Sequence, residues 1–193
     1  MVIVESHSEV SEFLKKWESS PSTIIPIWSD LERHPMNNIL SFLYIKVDSS
    51  EYIINYNHID ASIPNIDLST STQPKWVWDK KGLLQTSVNI QSIFDIKLHY
   101  FFELNQPLEL NPLEQQFVNH YTRLGIRCDL GMISPLMKWV EYLKTFVDNL
   151  NLPLPYSSWI DDTMIPLLSE VERFGVRVDE KKFIDRWPQA TKH

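Results

Sequence analysis

The amino-acid sequence predicts a layered α/β (α+β) domain built from one sheet and packed helices. Two observations predict this class. Strand-like segments dominate the first part of the chain, with one helix inserted among them, and helical segments dominate the rest. The chain has 193 residues, of which 43% are hydrophobic, so it can bury a core of its own. We therefore expect one domain, or one domain with an appendage.

The N-terminal part begins with a short strand over residues 2–4 and continues into an amphipathic helix. Ser6 and Glu9 have the spacing of a capping box, which satisfies free N–H groups at the start of a helix. The apolar residues of this helix follow at helical spacing: Val10, Phe13, Leu14 and Trp17. Residues 23–28 are rich in β-branched and aromatic side chains and predict a buried strand, in which Pro26 indicates an edge or a bulge.

The following segments predict a hairpin, a short strand and more helix. Residues 39–47 and 51–56 form the two strands of the hairpin, joined by a polar turn. Residues 76–78 predict a further short strand, and residues 80–86 predict one or two helical turns. Residues 94–104 have helical apolar periodicity.

Composition and charge exclude several classes of function. The formal net charge of −7 argues against a protein that holds nucleic acid over its whole surface. A single cysteine, Cys128, excludes an internal disulfide framework and a cysteine-based zinc site. The four glycines do not have the spacing of a phosphate-binding loop. We find no signal-peptide pattern and no apolar stretch near the ~20 residues that span a bilayer, so we expect a cytoplasmic protein with no membrane partner.

The most specific pattern of the sequence lies at residues 165–179. Gly175 follows the last apolar residue at helical spacing, where a left-handed residue commonly ends a helix. Val176 and Val178 then alternate like a short strand, and Asp179 is a candidate N-cap for a further helix. The apolar face of the helix before Gly175 consists of Met164, Leu167, Leu168, Val171 and Phe174.

This segment resembles the junction of family A DNA polymerases, the bacterial DNA polymerase I type, where a 3′–5′ exonuclease-like domain meets the polymerase domain. The pair Phe94-Asp95, at the start of an expected helix, is a second match to that family. The resemblance implies a ribonuclease H-like fold, with a mixed sheet flanked by helices, over residues 1–160. It implies the helix and the start of the polymerase-domain junction over residues 161–193. A DNA polymerase domain or a replication protein would then be the partner.

Active exonuclease domains of that family hold two metal ions with four carboxylates, because paired Mg²⁺ ions need oxygen ligands. The resemblance places the first motif, Asp-x-Glu, on Pro26 and Trp28, although Asp30 and Glu32 lie just beyond. The second motif, Asn-x-x-x-Asp, falls in a lysine-rich window whose carboxylate is Asp79.

The third motif, Tyr-x-x-x-Asp, has no counterpart between residues 125 and 140. A two-metal site that lacks a carboxylate and gains an ammonium group loses its electrostatic basis. We therefore predict a degenerate exonuclease domain with no catalytic residue, no metal ligand and no cofactor. The open alternative is an active Mg²⁺-dependent exonuclease that uses Asp30, Glu32, Asp79 and Asp95.

One aromatic-basic cluster stands out in the sequence: Lys75, Trp76, Trp78, Lys80 and Lys81. Stacked aromatic rings and lysines could hold single-stranded DNA. Two tryptophans at this spacing on a strand also lie on one face, which favours core packing or a protein interface. Both interpretations stay open at this point.

Three functions follow as alternatives. The first is a catalytically inactive exonuclease-like domain of DNA replication or repair, which acts structurally or binds protein or DNA together with a DNA polymerase. The second is the active exonuclease described above. The third is a protein-binding adaptor with no nucleic-acid role, because the chain has seven tryptophans and aromatic residues are enriched at interfaces. If the chain is part of a longer protein, that protein would be a DNA-directed DNA polymerase.

Overall fold

A mixed sheet, six-stranded in the part of the chain that the structure describes, forms the centre of the fold. The computed structural model describes residues 1–28, 40–56, 64–98, 141 and 160–174. The strands are β1 (Val2–Ile3), β2 (Ser22–Trp28), β3 (Leu40–Val47), β4 (Ser50–Asn55), β5 (Lys75–Val77) and β6 (Ile93–Asp95). The helices whose bounds are described are α1 (His7–Ser19), α2 (Lys80–Leu84) and α3 (Ile165–Phe174), the last of which directly follows a π-helical segment (Ile160–Met164).

The strands are arranged in the order β1-β4-β3-β2-β5-β6. The strands β2, β3 and β4 pair antiparallel, and the predicted hairpin is the β3–β4 pair. The pairs β1–β4, β2–β5 and β5–β6 are parallel. Both strand directions therefore occur in one sheet, which confirms the predicted α/β class.

The start of α1 is the capping box expected from the sequence. Glu9 donates its backbone N–H to Ser6 Oγ at 3.3 Å, and Ser6 donates its backbone N–H to Glu9 Oε2 at 2.8 Å. These bonds satisfy donors that a helix leaves free in its first turn. The backbone N–H of Glu5 also bonds to Glu9 Oε2, at 3.0 Å.

Replacing Ser6 with alanine should therefore lower the free energy of unfolding by about 1 kcal/mol, the usual loss for an N-cap. Chemical denaturation followed by circular dichroism would measure it. Ser11→Ala is the matched control, because Ser11 is an exposed serine inside the same helix and alanine has the higher helix propensity. A loss at position 11 equal to the loss at position 6 would contradict the capping argument.

The main core lies between α1 and one face of the sheet. Phe13 and Trp17 of α1 are fully buried and stack with ring centroids 5.8 Å apart. Phe13 also meets Tyr52 of β4 edge-on at 5.1 Å. These large rings supply much of the apolar area that α1 removes from water.

Pro26 lies in the interior strand β2, so the edge-strand interpretation is wrong. The parallel pairing with β5 ends at Ile24, whose carbonyl accepts the N–H of Trp78 at 2.9 Å. The backbone nitrogen of Pro26, two residues after Ile24, is on the β5 side of the strand but lies beyond the end of β5. Its missing N–H therefore costs no ladder bond. The register against β3 also shifts between Ile27 and Trp28.

Two boundaries differ from the sequence prediction. The short strand predicted over residues 76–78 is β5, Lys75–Val77, so Trp78 lies just beyond the strand. Phe94 and Asp95 end β6, and Asp95 caps the helical backbone that begins at residue 96 and is described to residue 98. Residues 99–104 of that predicted helix lie outside the described part of the chain.

No helix in the described part of the chain is both long enough and apolar enough to cross a membrane. The helix expected before Gly175 is α3, whereas Gly175 and Asp179 themselves lie outside that part.

Candidate functional site

Asp79 lies in the tight turn that joins β5 to α2. Its backbone has φ 71°, in the left-handed region that aspartate tolerates better than most residues. Its Oδ1 accepts the N–H of Gly82 at 3.0 Å and so caps α2, while Oδ2 lies 4.0 Å from Lys97 Nζ. The carboxylate therefore has a structural use at the start of a helix.

Asp95 is a second buried helix cap, at the end of β6. It is 5% exposed. Its Oδ2 accepts the backbone N–H of Lys80 at 2.7 Å, and its Oδ1 accepts that of Leu98 at 2.7 Å. The two oxygens thus join the first turn of α2 to the helical residues that follow β6.

A buried ion pair completes this group of residues. Lys80 Nζ donates to Asp161 Oδ1 at 2.8 Å and to the Asp161 carbonyl at 2.7 Å. Asp161 Oδ2 accepts the backbone N–H of Asp95 at 2.9 Å. The side chains of Lys80 and Asp161 are 4% and 0% exposed. We call Asp79, Lys80, Asp95 and Asp161 the polar cluster.

The residues of the polar cluster do not fit a divalent metal ion. Asp79 and Asp95 use their oxygens on backbone N–H groups, and Lys80 places an ammonium group against Asp161. Within residues 1–28, 40–56, 64–98 and 160–174, no three His, Cys, Asp or Glu side chains are grouped to hold a metal. Asp30 and Glu32, the other candidate ligands, lie outside the described residues.

Burial raises the pKa of Asp95 from 3.8 to about 6. The nearby charge of Asp79 raises it further, whereas the hydrogen bonds from Leu98 and Lys80 and the charge of Lys97 lower it. Burial prevails because a carboxylate without water loses most of its solvation.

Asp95 should therefore give the fold an identifiable pH dependence. Because its pKa is higher in the folded chain than in the unfolded chain, its contribution to stability is fully present below about pH 4 and is lost as the pH rises through about 6. Relative to Asp95→Asn, we expect the unfolding free energy of the wild type to increase by up to about 1.4 kcal/mol per unit as the pH falls from 6 to 4. Denaturation curves at several pH values would measure it, and parallel profiles would contradict it.

A second set of polar contacts lies nearer the surface, between α2 and α3. Lys81 Nζ donates to Glu172 Oε1 at 2.9 Å, and Gln85 Nε2 donates to Glu172 Oε2 at 2.7 Å. The pKa of Glu172 is lowered, chiefly by the hydrogen bond from Lys81. We call Lys81, Gln85 and Glu172 the outer clamp.

The structure does not gather the aromatic-basic cluster on one exposed surface. Lys75 is fully buried, and Nζ donates to the carbonyls of Trp17 at 2.8 Å and Ser20 at 3.1 Å. This ammonium caps the C-terminal end of α1 and lies 4.0 Å from the centroid of the Trp17 ring. Burial lowers the pKa of Lys75 from 10.5 to about 8.

The other members of the aromatic-basic cluster have different surroundings. Lys80 is in the buried ion pair, and Trp78 is 8% exposed. Trp76 is half-buried, with its ring centroid 4.9 Å from that of Phe94. Lys81 retains 42% exposure and takes part in the outer clamp. These five residues therefore do not form an aromatic stacking surface lined by solvent-facing ammonium groups.

Sequence reasoning missed Asp161, Gln85 and Glu172. Asp161 lies 81 residues from Lys80 along the chain, and no motif spacing connects them. A lysine beside a short apolar strand needs an acidic or carbonyl partner if it is buried. That signal does not tell which of the 25 acidic residues supplies it.

Solved structures provide the comparison for this fold. The catalytic core of RRP6 from Trypanosoma brucei has a TM-score of 0.51 and 11% identity, over 90% of this chain and 50% of that chain. A structure described as the apo form of the nuclease has a TM-score of 0.50 and 13% identity, over 90% of this chain and 88% of that chain. The chain has an exonuclease-like fold. The predicted ribonuclease H-like class is thereby confirmed.

These similarities concern the fold. The chain spans about half the length of the RRP6 catalytic core that it matches. No protein-family model matches the chain, and no curated protein matches it significantly in sequence.

Proposed function

We propose that this chain is a catalytically inactive exonuclease-like domain of family A DNA polymerase ancestry. The observation that carries the proposal is the polar cluster. Two of its residues, Asp79 and Lys80, lie in the window where the resemblance places the second metal motif, and Lys80 supplies a buried ammonium group to Asp161. Asp79 and Asp95 bind backbone N–H groups. Two-metal hydrolysis instead needs several carboxylates turned toward the ions.

The proposed role is structural, in association with a DNA polymerase domain or a replication protein. The pattern of residues 165–179 supports this ancestry by resemblance. The exposed apolar residues of α3 support a protein contact, because such patches commonly mark interaction sites: Leu167, Leu168, Val171 and Phe174. We propose that the chain acts in the cytoplasm.

A nuclease assay tests the inactive state. The purified chain is incubated with 5′-labelled single-stranded DNA or RNA and Mg²⁺ or Mn²⁺, and we expect no shortening of the substrate. Asp30→Ala/Glu32→Ala and Asp79→Ala test the remaining candidate ligands, with Asp48→Ala at the β3–β4 turn as a matched control. Digestion that disappears in the first two variants and persists in the control would overturn the proposal and establish the active exonuclease. Digestion that is equal in all of them would identify a contaminant.

A binding assay tests the partner. The chain is immobilised and titrated with a family A polymerase domain from the same source that lacks its own exonuclease domain. We expect Leu168→Lys/Phe174→Lys to weaken the dissociation constant by at least about tenfold, since apolar anchors carry most interface energy. Glu18→Lys, on the exposed side of α1, is the control. Absence of binding by the wild type would favour the adaptor alternative.

DNA contact through the aromatic-basic cluster is not part of this proposal. Lys75 and Lys80 bind partners inside the fold, and Lys81 is paired with Glu172. Phosphate binding needs lysines whose charge faces solvent.

A further inference from the structure

The helix α3 is seated with its apolar side outward. Its buried residues are Ile165 and Ser169, and Glu172 on the same side belongs to the outer clamp. The exposed fractions of its large apolar residues are 52% for Leu167, 44% for Leu168, 45% for Val171 and 76% for Phe174. An amphipathic helix on a domain normally turns its apolar stripe to the core.

The outward seating opposes the hydrophobic effect. Rotation of α3 about its axis would bring the apolar stripe toward α2 and remove area from water, which is favourable in proportion to that area. Leu84, at the end of α2, already borders a cavity of about 210 Å³ that α3 lines with Pro166 and Phe174. Contacts that are lost on rotation must therefore hold the helix in the seating that we observe.

The polar contacts between α2 and α3 meet this requirement. The Lys80–Asp161 pair is buried and has Nζ–Oδ1 and Nζ–O distances of 2.8 and 2.7 Å. Asp161 lies in the π-helical segment that leads directly into α3, so its position sets the rotation of the helix that follows. The outer clamp repeats the constraint at Glu172, farther along the helix.

We propose that the Lys80–Asp161 ion pair is an orientation lock that holds α3 with its apolar stripe turned outward. A buried ion pair contributes little net stability compared with apolar packing, but its geometry is specific, and fixing the register of an element is its best-attested use. The outer clamp is half-exposed and screened by water, so it assists the lock and does not replace it.

Thiol labelling of single cysteines tests the lock. In a Cys128→Ser background, Ser169→Cys reports the inward side of α3, where Ser169 is 3% exposed, and Val171→Cys reports the outward side. The lock is removed by Lys80→Met/Asp161→Asn, in which the new side-chain amide still offers an oxygen to the N–H of Asp95. We expect labelling at position 169 to accelerate by at least about tenfold and labelling at position 171 to slow by a similar factor.

Two controls separate the lock from general loosening. Lys16→Met removes a surface ion pair with Glu12, and Lys75→Met removes a buried ammonium that contacts α1. Neither should change the ratio of the two labelling rates. Hydrogen exchange of β3 amides checks that the sheet stays folded, and Asp161→Asn alone is the second variant if the double variant does not fold.

Unchanged labelling at both positions would overturn the proposal. Acceleration at position 169 without slowing at position 171 would also overturn it, because this result means that α3 has detached. The ion pair would then hold α3 on the domain without determining its orientation. A reciprocal change at the two positions supports the lock whether or not the polymerase-binding assay succeeds.

Discussion

Replacing Lys80 with methionine is expected to lower the free energy of unfolding by about 3–5 kcal/mol, because the change leaves a buried charge without its partner. The Asp161 side chain is 0% exposed, and its Oδ1 lies 2.8 Å from Lys80 Nζ. Methionine has a similar volume and fills the space, so the loss isolates the missing charge from the cost of a cavity. The remaining carboxylate would have to bind a proton or admit water, and either change disturbs Asp95, which donates its N–H to that carboxylate.

Urea denaturation measures this loss, and Lys81→Met is the matched control. Lys81 is the next residue and also bonds to an acid, Glu172 of α3, but this ion pair is 42% and 35% exposed. We expect a loss of no more than about 1 kcal/mol there. The double variant Lys80→Met/Asp161→Asn should recover most of the loss, since no unpaired charge remains. Equal losses at positions 80 and 81 would contradict the burial argument.

Replacing Trp17 with alanine is expected to lower the free energy of unfolding by about 3–5 kcal/mol, the usual loss for a large buried aromatic residue. Trp17 is 0% exposed and stacks on Phe13. Its Nε1–H donates to the Leu68 carbonyl at 3.2 Å, and its ring lies 4.0 Å from Lys75 Nζ. The substitution therefore opens a cavity and removes the aromatic face beside a buried cation.

Thermal and urea unfolding with a far-ultraviolet signal would measure the loss at Trp17. Glu18→Ala, at the next position of the same helix but exposed, should stay within about 0.5 kcal/mol of the wild type. Trp17→Phe should fall between the two, because it keeps a ring and loses the hydrogen bond to Leu68. A Trp17→Ala variant as stable as Glu18→Ala would show that α1 does not anchor this core.

The local parts of the fold could be predicted from the sequence because their determinants are close together in the chain. The start of α1 follows from Ser6 and Glu9, which are three residues apart. The β3–β4 hairpin follows from two alternating segments that flank a short polar turn. In both cases the residues that specify the structure also make its hydrogen bonds.

The candidate site could not be predicted in the same way. The partner of Lys80 lies 81 residues away, and the partners of Lys75 are backbone carbonyls 58 and 55 residues away. The sequence around a lysine does not show whether its ammonium group faces DNA or the end of a helix. Lys75 is buried, so its ammonium group binds the end of a helix. Whether a residue is buried depends on how the whole sheet packs.

The orientation of α3 on the domain is a second feature that the helical periodicity of the sequence does not predict. The spacing of Leu167, Val171 and Phe174 correctly groups these residues on one face. Periodicity does not give the direction in which that face points, because direction depends on contacts outside the helix. Here the deciding contacts come from Asp161 and Glu172, polar residues that face the rest of the domain.

Among the strands in the described part of the chain, the two at the edges of the sheet are short: β1 has two residues and β6 has three. An edge strand offers unpaired N–H and C=O groups to other chains, and natural proteins limit this hazard by keeping such strands short. Strands of this length give an incoming chain too few backbone bonds for stable sheet extension. We therefore expect that, if the chain associates with itself at high concentration, the contact will be made by side chains and will not resemble the cross-strand pairing of amyloid.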